Sequence, residues 1–418
     1  MTRTCFLMTP VVAVLMTAGA VTGQTVAYTG ATVWDGTGQT SMSNATLVVE
    51  EGRIVSVGTG VQAPEGAEIV FLGGKYVIPG LINTHGHVSG LWAPEDVEGE
   101  ADRIRGDLLL FARYGITTVN SLGDSEAVLA VRHEEPRGEA MARLFAAGAV
   151  VGASDPAEAR RAAISNADAG ADWLKLRVDD NLGTSRKMPW DAVQAVMDVG
   201  RERSLPVATH LFYLEDAKRL LEMGSGMIAH SVRDTEVDQE FIDALLDSGV
   251  CYVPTLTREV STFVYSTRPS FLDEPFFTKH AHEGQVALVT DEGYMEEMSQ
   301  SPAAAGYRVA LVQAMSNMKT LVEAGAPVAF GTDAGPAGRF PGFFEHLELS
   351  LMVGGGLTPA QALLSATSIA ASCLGADDIG TLEPGKWADF LVLAADPVRD
   401  IEATRTLEQV YVGGVLVP

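Results

Sequence analysis

The feature that most limits how this chain can fold is an alternation of short apolar runs with helical stretches through its middle. Eight runs are strand candidates: Val77–Asn83, Ile116–Ser121, Ala142–Ala147, Trp173–Val178, Val207–Leu211, Met227–Ser231, Val250–Pro254 and Val328–Thr332. Five intervening segments carry apolar residues at helical spacing: Asp102–Tyr114, Pro156–Ala169, Trp190–Arg203, Glu215–Met223 and Glu236–Ser248. Eight such units over roughly 300 residues predict an α/β fold, a (β/α)8 barrel of the triosephosphate-isomerase (TIM) type. An open doubly wound sheet is the alternative, but its usual glycine fingerprint does not follow the first strand.

The two ends of the chain have a different pattern, with short β-rich runs separated by turn formers. Thr46–Val49, Arg53–Val57 and Glu68–Leu72 are the runs at the start, and Asp389–Leu393 and Gln409–Val417 are those at the end. Neither end is large enough to fold alone. We therefore predict one small β-sandwich domain built from residues 24–78 and 380–418, with the barrel occupying residues 79–379.

The first residues are typical of a secretory signal peptide. Arg3 precedes an apolar run from Phe6 to Leu15, and small residues follow from Ala18. Residues 1–23 are the predicted leader, cut after Ala20 or Gly23, and a buried N-terminal helix is the alternative. Thr9 and Pro10 interrupt the run, which makes it a poor membrane span. The prediction is an exported protein, periplasmic or secreted, with no stable membrane anchor.

Charge and cysteine content narrow the remaining options. The formal net charge of −25 argues against nucleic acid as a partner, because phosphate binding needs clustered Lys and Arg. A small-molecule substrate is expected instead, and a homo-oligomer stays open. Cys251 and Cys373, the two cysteines after the leader, are far apart in sequence and do not form a disulfide framework. Cys251 is therefore predicted to be a small core residue.

The first barrel strand ends in a His-x-His pair, His85 and His87. Side chains alternate along a strand, so both imidazoles share the face that points into the barrel and can hold one metal. A similar pair, His280 and His282, lies in a charged segment and is predicted to be a solvated surface pair.

The fourth strand places Lys175 on the inward face, between outward Leu174 and Leu176. A lone buried ammonium is costly, so this lysine must be paired or chemically altered. Carbamylation by carbon dioxide would convert it into an anion able to bridge two metals. The alternative is an ion pair with Asp179 or Asp180.

Three further candidates close other apolar strands: His210, His230 and Asp333. Either histidine alone is more often a satisfied core residue, but together they sit where barrel enzymes keep catalytic groups. Small neighbours leave room above Asp333, which could take a proton from a metal-activated water and pass it on.

Taken in order along the chain, these motifs resemble the binuclear, carboxylated-lysine form of the amidohydrolase superfamily. The resemblance runs from Pro79–His87 through Lys175, His210, His230 and Gly331–Asp333, and ends with Ala366–Thr367, Gly380–Leu382 and Gly385–Phe390. It covers nearly all the chain after the leader. The stretches Gly170–Asp172, Ile228–His230 and Val253–Leu256 are similar to the imidazolonepropionase-like and Xaa-Pro dipeptidase-like branch.

The resemblance implies a pair of divalent metal ions, zinc being the expected identity, although manganese, iron or cobalt would suit the same ligands. It implies that His85, His87 and Asp333 hold the buried metal and that His210 and His230 hold the exposed one. A carbamate on Lys175 would bridge them, with Asp333 as the catalytic acid–base. The stretch Ala147–Ser154 departs from dipeptidase-like members, because it is short and carries no histidine.

Three functions compete. The leading prediction is a metal-dependent amidohydrolase that uses an activated hydroxide to cleave a C–N bond, in a dipeptide or N-acyl amino acid or in a cyclic amide. The second is lactone or ester hydrolysis at the same site. The third is a secreted metal-binding protein without catalysis, which would predict damage to the water-activating residue, whereas Asp333 is intact.

Cationic and phenolic residues at the predicted rim suggest the substrate. They are Arg177, Tyr213, Arg233 and Arg258. An arginine fork fits a carboxylate with two hydrogen bonds, so a substrate with a free carboxylate near the scissile amide is predicted. Arg233 is the first choice for its partner and Arg177 the second; a surface ion pair is the alternative for each.

Overall fold

A computed structural model describes residues 25–134 and 140–418. The predicted leader, residues 1–23, lies outside the described residues. In the part that is described, no helix combines the length and the apolar character that crossing a membrane requires.

Strands occur in two groups, one from the ends of the chain and one from its middle. The first group comprises β1 (Val26–Val33), β2 (Met42–Glu50), β3 (Arg53–Gly58), β4 (Glu68–Phe71) and β5 (Tyr76–Pro79). The middle group comprises β6 (Leu81–Gly86), β7 (Ile116–Ser121), β8 (Arg143–Ala146), β9 (Leu174–Arg177), β10 (Val207–His210), β11 (Met227–Ile228) and β12 (Cys251–Tyr252). The last strands, β13 (Phe390–Leu393), β14 (Leu407–Val412) and β15 (Val415–Leu416), return to the first group.

Helices fill the spaces between the middle strands and cover the region after them. They are α1 (Glu100–Arg113), α2 (Glu126–Glu134), α3 (Pro156–Asp168), α4 (Trp190–Arg203), α5 (Leu214–Glu222), α6 (Gln239–Ser248) and α7 (Leu256–Ser261). Next come α8 (Pro275–Thr278), α9 (Glu283–Val289), α10 (Glu292–Gln300), α11 (Pro302–Glu323), α12 (Phe343–Gly354), α13 (Pro359–Ser365) and α14 (Ser368–Leu374). Short 3-10 turns span Val264–Ser266, Ser270–Asp273 and Ile401–Arg405.

Both ends of the chain contribute to one eight-stranded sheet, ordered β15-β14-β13-β5-β1-β2-β3 with β4 beside β1. The join is antiparallel, with Tyr76 opposite Leu393 and Pro79 opposite Phe390. The Tyr28 ring packs 4.9 Å from that of Phe390 and 5.1 Å from that of Tyr411, so the core of this region also draws on both ends. The domain limits and the sandwich arrangement stay predictions.

The middle strands form two parallel ladders, β6-β7-β8 and β12-β11-β10-β9. Backbone hydrogen bonds also pass between the ladders. On one side the Asp172 amide donates to the Ala146 carbonyl over 2.8 Å. On the other, the predicted eighth strand, Val328–Thr332, has one bridge, to Tyr252, and its Phe330 carbonyl accepts from the Thr84 amide over 2.9 Å.

The predicted strand Val77–Asn83 is wrong as one element, because the chain changes sheets within it. β5 ends at Pro79 in the terminal sheet, and β6 begins at Leu81 in the parallel ladder. Gly80 lies between them, where any side chain would collide with Thr117. The change of sheet therefore needs glycine at this point.

Side chains of β9 alternate as the sequence predicts. Leu174, Leu176 and Val178 share a cluster with residues of the surrounding helices, whereas Trp173 packs with inward residues such as Ala208. Lys175 is consequently inside, with 2% of its surface exposed.

The prediction that Cys251 and Cys373 do not form a disulfide framework is wrong. Cys251, the first residue of β12, is disulfide-bonded to Cys373 of α14, and their Cα atoms lie 5.9 Å apart. Helix α14 packs Ala370 and Leu374 into the same apolar cluster as Cys251. Separation in sequence therefore gave no measure of separation in space.

Candidate metal centre

The six predicted metal-site residues lie together at the carboxyl ends of the parallel strands. They are His85 and His87 at the end of β6, Lys175 on β9, His210 ending β10, His230 just after β11, and Asp333 after the Val328–Thr332 segment. Parallel strands present their carboxyl ends to one rim, which is why residues spread over 249 positions meet. Strand order and alternation alone put them there.

Contacts tie the six side chains into one cluster. An Asp333 carboxylate oxygen lies 2.7 Å from His87 Nε2 and 3.4 Å from His85 Nε2. The His85 and His230 ring centres are 4.6 Å apart, and those of His230 and His210 are 4.0 Å apart. Ligand atoms of His85, His230 and Asp333 all fall within 4.8 Å of one another, which is compatible with a shared cation.

The protonation states of the histidines suit metal binding. Burial lowers the pKa of His85 and of His230 well below the usual value, and lowers that of His210 to about 3. Neutral imidazoles keep a lone pair for a cation. Nε2 of His230 is buried and has no hydrogen-bond partner among the described residues, so a donor atom is left for a ligand there. The nitrogen and oxygen donors therefore fit a divalent metal such as zinc.

Lys175 contacts a predicted ligand directly, with Nζ 3.2 Å from Nε2 of His85. Burial lowers its pKa to about 7, against the opposing effect of Asp333. The alternative pairing with Asp179 or Asp180 is wrong, because Asp179 binds His210 over 2.9 Å and Asp180 accepts from the Tyr213 hydroxyl over 2.9 Å. Lys175 is thus a buried amine without the predicted acidic neighbour.

Asp333 has a strained backbone and a cationic neighbour. Its φ of +60° is rare for any residue but glycine, and such strain is concentrated at functional sites. Burial raises its pKa, but the Arg339 guanidinium and the hydrogen bond with His87 outweigh this and hold it well below the usual value. Arg339 bonds the outer carboxylate oxygen of Asp333 and donates to the Ser261 hydroxyl over 3.0 Å.

The sequence did not predict Arg339 or the residues that orient His210 and His230. Arg339 lies in a glycine-rich loop just after Asp333, which was its only signal. Asp179 fixes Nε2 of His210, and the Thr255 hydroxyl lies 2.6 Å from Nδ1 of His230. Such partners set the tautomer of a ligating histidine and its ring orientation.

The first choice for the substrate carboxylate does not suit its position. The Arg233 side chain is fully buried, and its Nε lies 3.0 Å from a Glu259 oxygen. Its Nη1 donates to the carbonyls of Leu211 and Ser231, so it braces the wall of the site. Arg233 is therefore unsuited to bind a substrate carboxylate, because its guanidinium is buried against Glu259.

The other three rim residues differ in access. Arg258 shares Glu259 with Arg233, at 3.1 Å, and its side chain is 9% exposed. The Arg177 side chain is 40% exposed and bonds Asn181. Tyr213 is held by Asp180. Two arginines against one glutamate leave an excess positive charge in this wall.

His280 and His282 take no part in the cluster. The ring of His280 lies against Tyr114, 5.4 Å between centres, and His282 caps the start of α9 by accepting from the Gln285 amide. Both are partly buried, so the predicted solvated surface pair is a pair of packing and capping residues instead.

Comparison with known proteins agrees with this geometry. The sequence model described as Amidohydrolase family matches residues 76–417. Imidazolonepropionase of Deinococcus deserti is 28% identical over 393 residues, covering 87% of this chain and 89% of that protein. A 5-methylthioadenosine/S-adenosylhomocysteine deaminase of Halobacterium salinarum is 26% identical over 405 residues, covering 86% and 83%.

Among solved structures, a Xaa-Pro dipeptidase with bound methionine in the active site superposes with a TM-score of 0.75 and 24% identity, covering 94% of this chain and 99% of that one. This likeness shows the shared fold, a TIM barrel with a separate β-rich domain. The family resemblance read from the motifs is confirmed by these matches.

Proposed function

Because this chain belongs to the amidohydrolase family, in the branch of the imidazolonepropionase-like and Xaa-Pro dipeptidase-like proteins, we propose that it hydrolyses the amide bond of a dipeptide or N-acyl amino acid. The observation that carries the proposal is the largely buried cluster of four histidines, Lys175 and Asp333 at the strand ends. A group of imidazoles beside one carboxylate is suited to bind a divalent metal and to activate water.

In this proposal His85, His87 and Asp333 hold one metal, zinc by the chemistry of the donors, and His210 and His230 hold a second. A carbamate formed on Lys175 would supply a further anionic ligand. A neutral amine is the form that adds to carbon dioxide, and the burial and lowered pKa of Lys175 favour that form. When bound, the cations lower the pKa of water toward neutrality and polarise the scissile carbonyl.

Asp333 is the proposed proton carrier. Its Oδ1 faces the histidines, and its other oxygen faces Arg339, so the carboxylate is held in one orientation. Its low pKa keeps it ionised, so that an oxygen is free to accept a proton from a water that a bound cation would have made acidic. It then delivers that proton to the leaving nitrogen, which needs it to depart as an amine.

We also propose that the eight β/α units close into a complete barrel. On one side, the Asp172 amide donates to the Ala146 carbonyl of the other ladder. On the other side, the Val328–Thr332 segment lies between the ladders, where it accepts from the Thr84 amide and forms a bridge with Tyr252. A closed barrel would keep the strand ends in a ring and all six site residues facing one mouth.

For substrate recognition the proposal moves from Arg233 to Arg177 and Arg258. Arg177 is the more exposed of the two, and Arg258 belongs to the pair of arginines that share one glutamate. Either could meet a carboxylate with a planar fork. The substrate would then carry its free carboxylate near the scissile amide.

Cyclic amides form the second candidate class. Several relatives are imidazolonepropionases, named for an imidazolone, which is a cyclic amide. Attack at a ring carbonyl would need the same cluster. Lactone and ester hydrolysis belongs to this candidate, because activated water attacks either carbonyl.

The test is metal analysis of the purified protein followed by assay on dipeptides, N-acyl amino acids, cyclic amides and lactones. Each free acid is compared with its methyl ester in wild type, Arg177→Met and Arg258→Met. Arg268→Met is the matched control, because Arg268 forms a surface ion pair with Asp273. We expect the acid to be preferred and one of the two variants to lose that preference. Equal turnover of acid and ester by wild type would contradict carboxylate recognition.

Export is proposed as well, with removal of residues 1–23. The disulfide between Cys251 and Cys373 supports it, because disulfides persist in oxidising compartments. N-terminal sequencing of the protein recovered outside the cytoplasm tests the cleavage. A recovered chain that still begins at Met1 would contradict it.

A further inference from the structure

Helix α12 carries two buried glutamates, Glu345 and Glu348, on one face. Both side chains are 0% exposed. Residues three apart share a helix face, so both carboxylates reach the same side, toward the strand ends that hold the site. Buried carboxylates are costly, and apolar residues of similar size often serve stability as well or better. Their presence here calls for a reason other than packing.

Glu345 bonds both of the segments that carry His85 and Asp333. It accepts hydrogen bonds from Asn83 Nδ2 over 2.7 Å and from the Thr332 hydroxyl over 2.8 Å. Its second oxygen accepts from the Gly342 amide over 2.5 Å. Asn83 lies on β6, and Thr332 directly precedes Asp333.

From these two partners the contacts reach the ligands in one further step. Oδ1 of Asn83 accepts from the His85 amide over 2.9 Å. The Thr332 and Asp333 amides both donate to the His85 carbonyl, over 3.0 Å and 2.7 Å. Glu345 thus fixes how His85 and Asp333 face each other.

Glu348 is connected in a similar way to His230. Its oxygens accept from the Leu256 and Thr257 amides, each over 2.7 Å. These bonds hold the start of α7, immediately after Thr255. Thr255 has a φ of +49° and bonds Nδ1 of His230 over 2.6 Å.

We propose that Glu345 and Glu348 are positioning residues for the two halves of the metal centre. Glu345 sets the spacing of His85 and Asp333, and Glu348 sets the ring orientation of His230. The inference rests on the proposed metal centre and extends it to a helix that contributes no ligand. Glu345 and Glu348 would keep the ligands in position without binding the metal themselves.

The test uses near-isosteric variants of the full chain. Glu345→Gln keeps the volume but replaces an acceptor with an amide donor, which must then face the hydrogen of Asn83, Thr332 or Gly342. Glu348→Gln does the same against the Leu256 and Thr257 amides. Removal of a group that bonds a ligand directly typically weakens metal binding 10–100-fold. Because the two glutamates act through one further residue, a loss of about 10-fold, the lower end of that range, is expected in each variant.

Readouts are metal content, chelator competition with zinc, and the absorption spectrum of the cobalt-substituted protein, which reports ligand geometry without turnover. His346→Gln is the matched control: His346 is buried in the same helix but bonds Thr404 and the Tyr114 carbonyl. We expect it to keep wild-type affinity and spectrum. If Glu345→Gln does not fold, Thr332→Val removes one of the same bonds and should weaken binding in the same direction.

The outcomes separate the two proposals. Wild-type protein that binds no divalent cation contradicts the proposed metal centre and this inference with it. Wild-type protein that binds cations, with glutamine variants matching it in affinity and spectrum, overturns only the positioning role. Equal losses in His346→Gln also overturn it, because the effect would then belong to the stability of α12 as a whole.

Discussion

The two ends of the parallel strands are built on opposite principles. At the carboxyl ends, buried polar side chains crowd together: His85, Lys175, His230, Arg233, Glu345 and Glu348 are each at most 2% exposed. At the amino ends, α14 packs alanine and leucine side chains against the strands, and a disulfide fixes it to β12. One end accepts the cost of burying charge, and the other adds apolar area and a covalent link. This division matches the separation of catalysis from stability in barrels of this type.

Among the variants that test this contrast between the two strand ends, Lys175→Ala should have the largest effect on metal content and activity. Without the bridging anion the cluster should lose metal and turnover together, and short carboxylic acids such as formate should partly restore both. Metal content and activity with and without formate are the measurements. Lys319→Ala is the control, because Lys319 forms an exposed ion pair with Glu323 on α11. A Lys175→Ala protein with full metal and activity would remove the bridging role.

Asp333→Asn should come next in size. The amide can still contact a cation but cannot carry the proton, so kcat should fall by about 10²–10⁴-fold with a smaller change in KM. Steady-state kinetics on an amide substrate decide it. Near wild-type kcat would assign proton transfer to another group. Asp273→Asn, at an exposed ion pair, should change neither constant.

A third prediction concerns the opposite end. Cys251→Ala with Cys373→Ala should lower the free energy of unfolding by about 2–5 kcal/mol while kcat stays at the wild-type value. Thermal unfolding of the double variant, and of wild type under reducing agent, measures this. A drop in kcat with the metal content unchanged would show that the two ends are not independent.

A fourth prediction is a pH dependence of stability in the metal-free protein. Burial raises the pKa of Glu348 to about 8, above its ordinary 4.5, so the folded state keeps the proton to higher pH than the unfolded chain. Its contribution to the free energy of unfolding should therefore decline as the pH rises from about 4.5 to about 8. Compared at pH 5 and pH 8, wild type should lose more stability than Glu348→Gln. Parallel losses in the two proteins would argue against this titration.

The sequence predicted some parts of the structure better than others. It predicted the inward face of β9 and the gathering of the six site residues, because alternation along a strand and parallel strand order leave few arrangements. It missed Asp179 as the partner of His210 and gave Arg233 a free charge. Those contacts depend on which loop residue folds back onto which strand end, and periodicity carries no information about that.

The disulfide and the two glutamates of α12 were missed for a related reason. Cys251 and Cys373 are brought together by the packing of α14 beneath β12, a contact between elements 122 residues apart. Nothing in the sequence distinguishes Glu345 and Glu348 from the polar face of an exposed helix. Only the packed structure shows that this face is turned inward.

The terminal sheet can be completed only late in translation. Pro79 pairs with Phe390, so β5 waits for a neighbour about 310 residues downstream. β5 can pair with β1 at once, but at a translation rate of roughly 5–20 residues per second its other edge stays unpaired for some 15–60 seconds until β13 is made. The terminal sheet therefore stays incomplete until β13 is made, and a stop codon placed before β13 should yield a product with an exposed, aggregation-prone sheet edge rather than a shortened enzyme.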